Sequence, residues 1–289
     1  MRSVTGLVGR FSVVGCAGLA LSSCSGVLDP KGPIGGAERI ILLDATAIMS
    51  AVILPVIAMT LAFAWRYRAG NSRAVRWPDW SYSGSLEFVV WSIPTLVILF
   101  LGGIAWIGSH DLDPRKPIRS EAKPLEVDVV SLDWKWLFIL PSEGIASVNR
   151  LVVPVATPIR LRLTSASVMN SFFVPSLGSQ IYTMAGMATE LYLMADNPGE
   201  YAGISAQFSG DGFSNMGFVM QAVPPEGFGA WVAAARKGGG ELDAARFATL
   251  ARPSQADAPI TYGTIASDLF EAIVAGSAPN VAADPTRGP

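Results

Sequence analysis

The stretch PGEYAGISAQFSGDGFSNM, Pro198–Met216, carries most of the information about the fold. It opens on the turn signal Pro198-Gly199, runs through a short β-forming segment to Ser205, and then enters a loop punctuated by Gly210 and Gly212. A second β-forming run follows from Gly217 to Val223. The same texture extends upstream: Leu125 to Val130, Trp134 to Leu140, Arg150 to Val155, Ile159 to Thr164 and Glu190 to Met194 are rich in β-branched and aromatic residues and are bounded by Pro and Gly. Together these runs predict an all-β domain over 118–223, about the size of a small sandwich or barrel.

On either side the texture changes. Ile40 to Trp65 is apolar apart from Asp44 near its start, and Phe88 to Ile107 carries no charge. Each is long enough to cross roughly 30 Å of hydrocarbon as a helix, and Pro94 in the second is tolerable when neighbours satisfy the freed backbone groups. The predicted spans are 40–65 and 86–108. Between them Arg66, Arg68, Arg73 and Arg76 mark the 66–85 loop as cytoplasmic, so both long tails face outward. Trp65, Tyr67, Trp77, Trp80 and Tyr82 read as interfacial anchors, with ordinary loop packing the other reading for Trp77, Trp80 and Tyr82. Past Pro224-Pro225, alanine-rich segments at Phe228 to Arg236 and Leu242 to Ala251 read as helices around a Gly238-Gly239-Gly240 break, within an extension over 226–277. A disordered tail is expected over 278–289. The fold class is therefore membrane α plus all-β: a two-helix transmembrane hairpin, an external β domain and a short, mostly helical C-terminal extension.

Composition agrees with this plan and excludes several functions. Of 289 residues 51% are hydrophobic and only 15% charged, too apolar for an ordinary soluble chain. A net charge of -2, with no long basic run, argues against a nucleic-acid partner. Cys16 and Cys24 are the two cysteines, and His110 is the single histidine. The β domain thus holds no thiol, which removes disulfides and cysteine-based metal sites from it. His110, beside Asp111 and Asp113, reads as a solvated interfacial residue.

The N-terminus has the form of a bacterial export signal: Arg2 and Arg10, then an apolar run from Phe11 to Leu21. Leu21-Ser22-Ser23-Cys24 resembles a lipobox, which implies removal of 1–23 and acylation of Cys24, leaving 24–39 as a periplasmic lead-in. Val13-Val14-Gly15-Cys16 has a similar look but follows too short an apolar stretch. An uncleaved signal segment is the other reading.

Two further motifs make a family resemblance specific. SVMNSFFVPSLG, Ser167–Gly178, resembles a segment of subunit II of the haem-copper oxidases in which a histidine copper ligand stands where this chain has Asn170. Pro198–Met216 resembles that family's copper loop, Cys-x-Glu-x-Cys-x-x-x-His-x-x-Met. Ser205 and Ser209 stand at the cysteines, Gln207 at the glutamate and Phe213 at the histidine, and Met216 alone keeps its identity. The resemblance implies a cupredoxin-like β-sandwich without copper, and in the family that loss accompanies oxidases fed by quinol instead of cytochrome c. It further implies no cofactor in this subunit, with haems, copper and quinol binding in subunit I, subunits III and IV as further partners, and membrane lipid around the helices. An envelope lipoprotein with a ligand-binding or scaffolding β domain is the alternative, together with a copper-containing cytochrome c oxidase subunit.

Phe228, Trp231, Phe247, Pro253, Ser254, Tyr262, Leu269 and Phe270 resemble the aromatic-bearing extension of cytochrome o ubiquinol oxidases. Asp133-Trp134-Lys135-Trp136 resembles the family's tryptophan-rich segment; without a copper acceptor, Trp134 and Trp136 are expected to pack at the face toward subunit I. LEFVVWSIP, Leu86–Pro94, resembles the start of the family's second helix, whose glutamate lies at the mouth of a proton channel. That places Glu87 at the channel entrance, although an acid in a first helical turn is also favoured by the macrodipole alone.

Overall fold

The computed structural model describes residues 26–75, 77–255 and 258–278. Cys16, Cys24, Arg76 and the 279–289 tail lie outside the described residues. The chain divides into two compact units: Ala37–Asp113, and a second in which residues 26–36 join the described residues from Pro114 onward.

In the first unit stand the two long apolar helices, α1 (Pro33–Arg66) and α2 (Gly84–Asp111). At 1.5 Å per residue each is longer than roughly 30 Å of hydrocarbon. Their apolar side chains are largely exposed, Phe88, Trp91 and Ile98 among them at 70% or more. Such faces require lipid or protein partners. Pro55 and Pro94 sit inside the helices, and Thr60 and Thr95 turn their hydroxyls back to the carbonyls of Val56 and Trp91. His110 belongs to the last turn of α2, where Nδ1 lies 2.8 Å from the Trp106 carbonyl and its ring packs on Trp106.

In the second unit a two-sheet sandwich is built from β1 (Leu125–Leu132), β2 (Lys135–Leu140), β3 (Ile145–Val148), β4 (Arg150–Pro154), β5 (Ile159–Ser165), β6 (Asn170–Phe173), β7 (Ile181–Thr183), β8 (Thr189–Leu193), β9 (Gly199–Ser205) and β10 (Gly217–Val223). The C-terminal part adds α3 (Pro225–Gly238), β11 (Gly240–Leu242), α4 (Ala244–Leu250), β12 (Ile260–Ile265) and α5 (Leu269–Val274). One sheet runs β11-β12-β3-β2-β1-β5-β8 and the other β4-β10-β9-β6-β7. The parallel pairs β1/β5 and β4/β10 interrupt the otherwise antiparallel β domain.

Strand alternation sorts β1, β2 and β5 into two cores. Val127, Val129, Trp136, Phe138, Leu161 and Leu163 point between the sheets. Val130, Leu132, Leu137 and Ile139 point the other way and are covered by Leu242, Phe247, Leu250, Leu269, Phe270 and Ile273 of the C-terminal part. That part is therefore helical but not only so, because β12 extends the sheet by pairing with β3, Ile260 opposite Val148. Ala278, assigned to the tail by the sequence reading, is buried against this second core and donates its N–H to the Ala272 carbonyl. On the same outer face the side chain of buried Lys135 donates to the Arg252 carbonyl at 2.9 Å and to the Ser254 hydroxyl.

The lead-in also belongs to this unit. Lys31 N–H donates to Ser176 O, Asp196 N–H to Lys31 O and Gly35 N–H to Leu177 O. Gly32 is obligatory there, since a Cβ would stand 2.2 Å from the Met194 carbonyl.

Candidate functional site

The six positions marked by the ligand register come from three segments that the sandwich brings to one end. Asn170 begins β6, Ser205 ends β9, and Gln207, Ser209, Phe213 and Met216 follow in the connection to β10. Pairing of β6 with β9 sets Phe172 opposite Ser205, and Ala206 N–H donates to Ser171 O. The connection returns through a 3₁₀ turn at Phe213–Asn215.

At the centre of this end is a neutral polar pair. Asn170 is 1% exposed and Ser205 5%. The Ser205 hydroxyl lies 3.1 Å from the Asn170 side-chain oxygen and 3.2 Å from the Gln207 carbonyl, so its single proton is shared between two acceptors. The Asn170 amide donates to Val168 O at 3.1 Å. Ser209 turns its hydroxyl toward Met216 Sδ at 3.9 Å, a weak contact, and Met216 is buried in the core. Phe213 points away from this pair and packs edge-on against Phe208, itself 71% exposed. Four of the six positions are thus joined by side-chain hydrogen bonds through Ser205 or Ser209, while Gln207 and Phe213 join through their backbone carbonyls, Phe213 O accepting from Met216 N–H at 3.1 Å.

The connection is held from below by Trp134. Its indole N–H donates to Ser209 O at 3.0 Å, and Gly212 lies so close that a Cβ would meet the ring at 2.2 Å. Trp134 takes a positive φ of 66° in the Asp133-Trp134 turn between β1 and β2, an unusual backbone for a bulky residue. The sequence offers one signal for this clamp, the glycine at 212, while the strand expected from Trp134 begins one residue later, at Lys135. Trp136, by contrast, does not lie on a face of the domain. It is fully buried between the sheets, edge-on to Phe172 and Phe218 at 5.3 and 5.6 Å. An aromatic with period-two neighbours in β2 could equally have been assigned to the core.

Glu87 lies elsewhere, in the first turn of α2, with its backbone N–H bonded to Ser83 O. With Gly84, Phe88, Trp91, Ser92, Thr95 and Leu96 it lines an open groove of about 750 Å³ on one helix face. Spacing of three and four residues sets Glu87, Trp91 and Thr95 above one another. Among the described residues no three His, Cys, Asp or Glu side chains gather at one point.

Residues 125–223 match the family model described as cytochrome c oxidase subunit II, periplasmic domain, and residues 236–276 match the COX aromatic rich motif. The chain is 48% identical over 257 residues to cytochrome bo(3) ubiquinol oxidase subunit 2 of Pseudomonas putida, covering 89% of this chain and 82% of that one. It is likewise 48% identical over 261 residues to ubiquinol oxidase subunit 2 of Acetobacter aceti, covering 89% and 84%. Quinol oxidase subunit 2 of Bacillus cereus is 35% identical over 228 residues, 78% of each chain.

Proposed function

This chain belongs to the ubiquinol oxidase subunit 2 family, and from that membership we propose that it serves a quinol-oxidising, oxygen-reducing membrane complex as an accessory subunit with no redox centre of its own. The observation that carries the reading is the Asn170–Ser205 pair. A dinuclear copper centre of the cytochrome c oxidase type requires two bridging thiolates, whose softness holds the metal and spreads its electron, with imidazoles completing the set. The side chains at the corresponding positions are an amide, two hydroxyls, a second amide, a phenyl ring and a thioether. The residues do not fit that centre. The Ser205 hydroxyl is committed to its neighbours, and Phe213 is turned to Phe208.

Electrons then pass from quinol directly into the haem-bearing subunit I, which holds the haems and copper, and cytochrome c has no entry point here. Subunits III and IV complete the assembly. The two apolar helices together with a family-typed periplasmic domain fit a membrane-anchored protein. The arginine-bearing connection lies on the cytoplasmic side, the β domain in the periplasm over subunit I, and Cys24 carries the lipid anchor. Glu87, at the cytoplasmic end of α2, exchanges protons with bulk water and passes them along the Glu87–Thr95 face toward subunit I. Proton translocation by the complex draws on that supply.

Purification of the membrane complex tests the reading. The chain should co-purify with haem-bearing large subunits, oxidise quinol but not reduced cytochrome c, and lack the electron-spin-resonance signature of a thiolate-bridged copper pair. Purification of the chain alone, or that copper signature, would overturn it. Glu87→Ala should slow oxygen reduction with assembly intact; turnover unchanged across pH leaves the carboxylate a helix-dipole role alone.

A further inference from the structure

The connection between α1 and α2 holds four arginines, Arg66, Arg68, Arg73 and Arg76, one acid, Asp79, and no lysine. Its fold uses the backbone of the arginines, and Arg66, Arg68 and Arg73 are exposed. Asn71 does the organising: its side-chain amide donates to Arg66 O at 2.6 Å, its N–H to Arg68 O at 3.0 Å, and its side-chain oxygen accepts from Arg73 N–H at 3.1 Å. Arg68 donates to Trp65 O and lies 5.3 Å over the Trp65 ring. Among the described residues Arg66, Arg68 and Arg73 have no carboxylate within ion-pair distance. In the same connection Tyr67, Val75, Trp77 and Trp80 line an open cavity of about 550 Å³, with Trp77 77% and Trp80 57% exposed.

Topology alone explains positive charge at this place, but not its chemistry, since lysine orients a membrane protein as well as arginine does. Arginine differs in its planar fork, which grips two phosphate oxygens at once. Tyrosine and tryptophan differ from other apolar residues in settling at headgroup depth, apolar body inward and polar tip outward. A phosphate grip in the same short connection as an aromatic-lined cavity matches a phosphodiester joined to a glycerol ester. We propose that the 66–80 connection binds the headgroup of an anionic phospholipid, Arg66, Arg68 and Arg73 holding the phosphate and Tyr67, Trp77 and Trp80 receiving the glycerol region. Free phosphate would leave the aromatic cavity unused. The inference rests on α1 and α2 spanning a membrane and not on the quinol-oxidase reading or the state of the copper loop.

The test uses the full chain, in whatever assembly it purifies with, held in phosphatidylcholine nanodiscs containing a small fraction of photoactivatable phosphatidylglycerol or of the matching phosphatidylcholine probe. At equal mole fraction the anionic probe should label the peptide containing residues 66–80 more, by about fivefold for each arginine engaged. The preference should shrink in high salt and in Arg66→Gln/Arg68→Gln/Arg73→Gln. Millimolar inorganic phosphate should leave it unchanged. Equal labelling by the two probes in the unmodified protein overturns the proposal, as does absence of label because a partner subunit covers the loop, or displacement of the lipid by inorganic phosphate. The unmodified protein supplies these outcomes, so they stand even if the triple variant fails to insert. Failure of the oxidase reading would appear separately, as a chain that purifies without haem-bearing subunits.

Discussion

Two neighbouring regions of the sandwich share the same strands and differ in kind. At its centre Phe172 and Phe218 stack at 4.8 Å, with Trp136 edge-on to both and Phe138 tilted against Phe218 at 5.3 Å. Two residues before Phe172 and two before Phe218 stand Asn170 and Met216, at the loop end, where amide, hydroxyl and thioether groups gather. The aromatic centre fixes the strands, and the strands fix the spacing of Ser205, Ser209, Phe213 and Met216. At the loop end the buried Ser205 hydroxyl is bonded to the Asn170 side chain and the Gln207 carbonyl, as burial demands.

The comparison breaks most visibly if the loop end can be returned to metal chemistry on an unchanged centre. Asn170→His, Ser205→Cys, Gln207→Glu, Ser209→Cys and Phe213→His, made together in a fragment from about Pro117 onward, recreate two thiolates, one imidazole and the thioether at i, i+4, i+8 and i+11 spacing, with the second imidazole at position 170. The unmodified fragment should stay colourless with copper. The variant should bind about two coppers per chain with intense thiolate-to-copper absorption. A folded variant that takes up no copper would show that the register assigned to the loop is wrong.

The centre itself should be the costlier place to damage. Phe218→Ala removes a ring that is 4% exposed and stacked on Phe172, and Gly203 lies directly beneath it, where an added Cβ would be 2.0 Å from the ring. A loss of about 3–5 kcal/mol is expected, read as a fall in the chemical-denaturation midpoint of the β-domain fragment. A loss below about 1 kcal/mol would mean that the aromatic centre does not hold the strands.

How far the sequence revealed these two regions follows from which signals are local. Gly217 to Val223 was legible to the residue because Phe218, Met220 and Ala222 alternate with more exposed neighbours. β3, β6 and β7 were missed: each is only three or four residues long, too short to show a period. β12 was missed for another reason, since its place is set by pairing with β3 more than a hundred residues earlier, which no window contains. The sequence reading ran the second C-terminal helix from Leu242, yet Leu242 ends a strand and Asp243 caps the helix by accepting from Arg246 N–H at 2.8 Å. At the candidate site the spacing of the six positions was legible. That Ser205, and not Gln207, would reach the Asn170 side chain was not, because it depends on how β9 sits against β6.

Within the loop end the two serines should separate. Ser205→Ala leaves the Asn170 side-chain oxygen without its hydroxyl donor in a site that is 1% exposed, and should cost about 1–3 kcal/mol. Ser209→Ala removes a 3.9 Å contact to sulfur and should cost less than about 0.5 kcal/mol. Denaturation of both variants decides the matter. Equal losses would mean that the polar pair is not what closes this end.

The smallest effect concerns pH. Asn170, Ser205, Gln207, Ser209, Phe213 and Met216 carry no titratable group, so acid sensitivity of the domain must come from elsewhere, and the outer face of β1 supplies a source. The Asp128 carboxyl is 4% exposed and receives Arg162 at 2.7 and 3.0 Å. Arg162 also meets Glu271 at 2.9 Å and lies over the Phe270 ring, and Glu126 is close enough to add its own field. Burial raises the Asp128 carboxyl above its ordinary range, outweighing the lowering by Arg162, while the bond to Asp128 raises the Arg162 guanidinium. In the window between the ordinary value of 3.8 and the raised one, the folded chain keeps a proton that the unfolded chain has lost. Falling pH through that window therefore favours the folded state through this group, and the contribution fades as pH rises above the raised value. Asp128→Asn deletes the titration, so the parent fragment should gain on the variant as pH falls from 7 toward 4, by less than about 1 kcal/mol. Melting temperatures of the two at both pH values measure the gap. A gap that moves the other way on acidification would mean that the ionised pair with Arg162 outweighs the burial of Asp128.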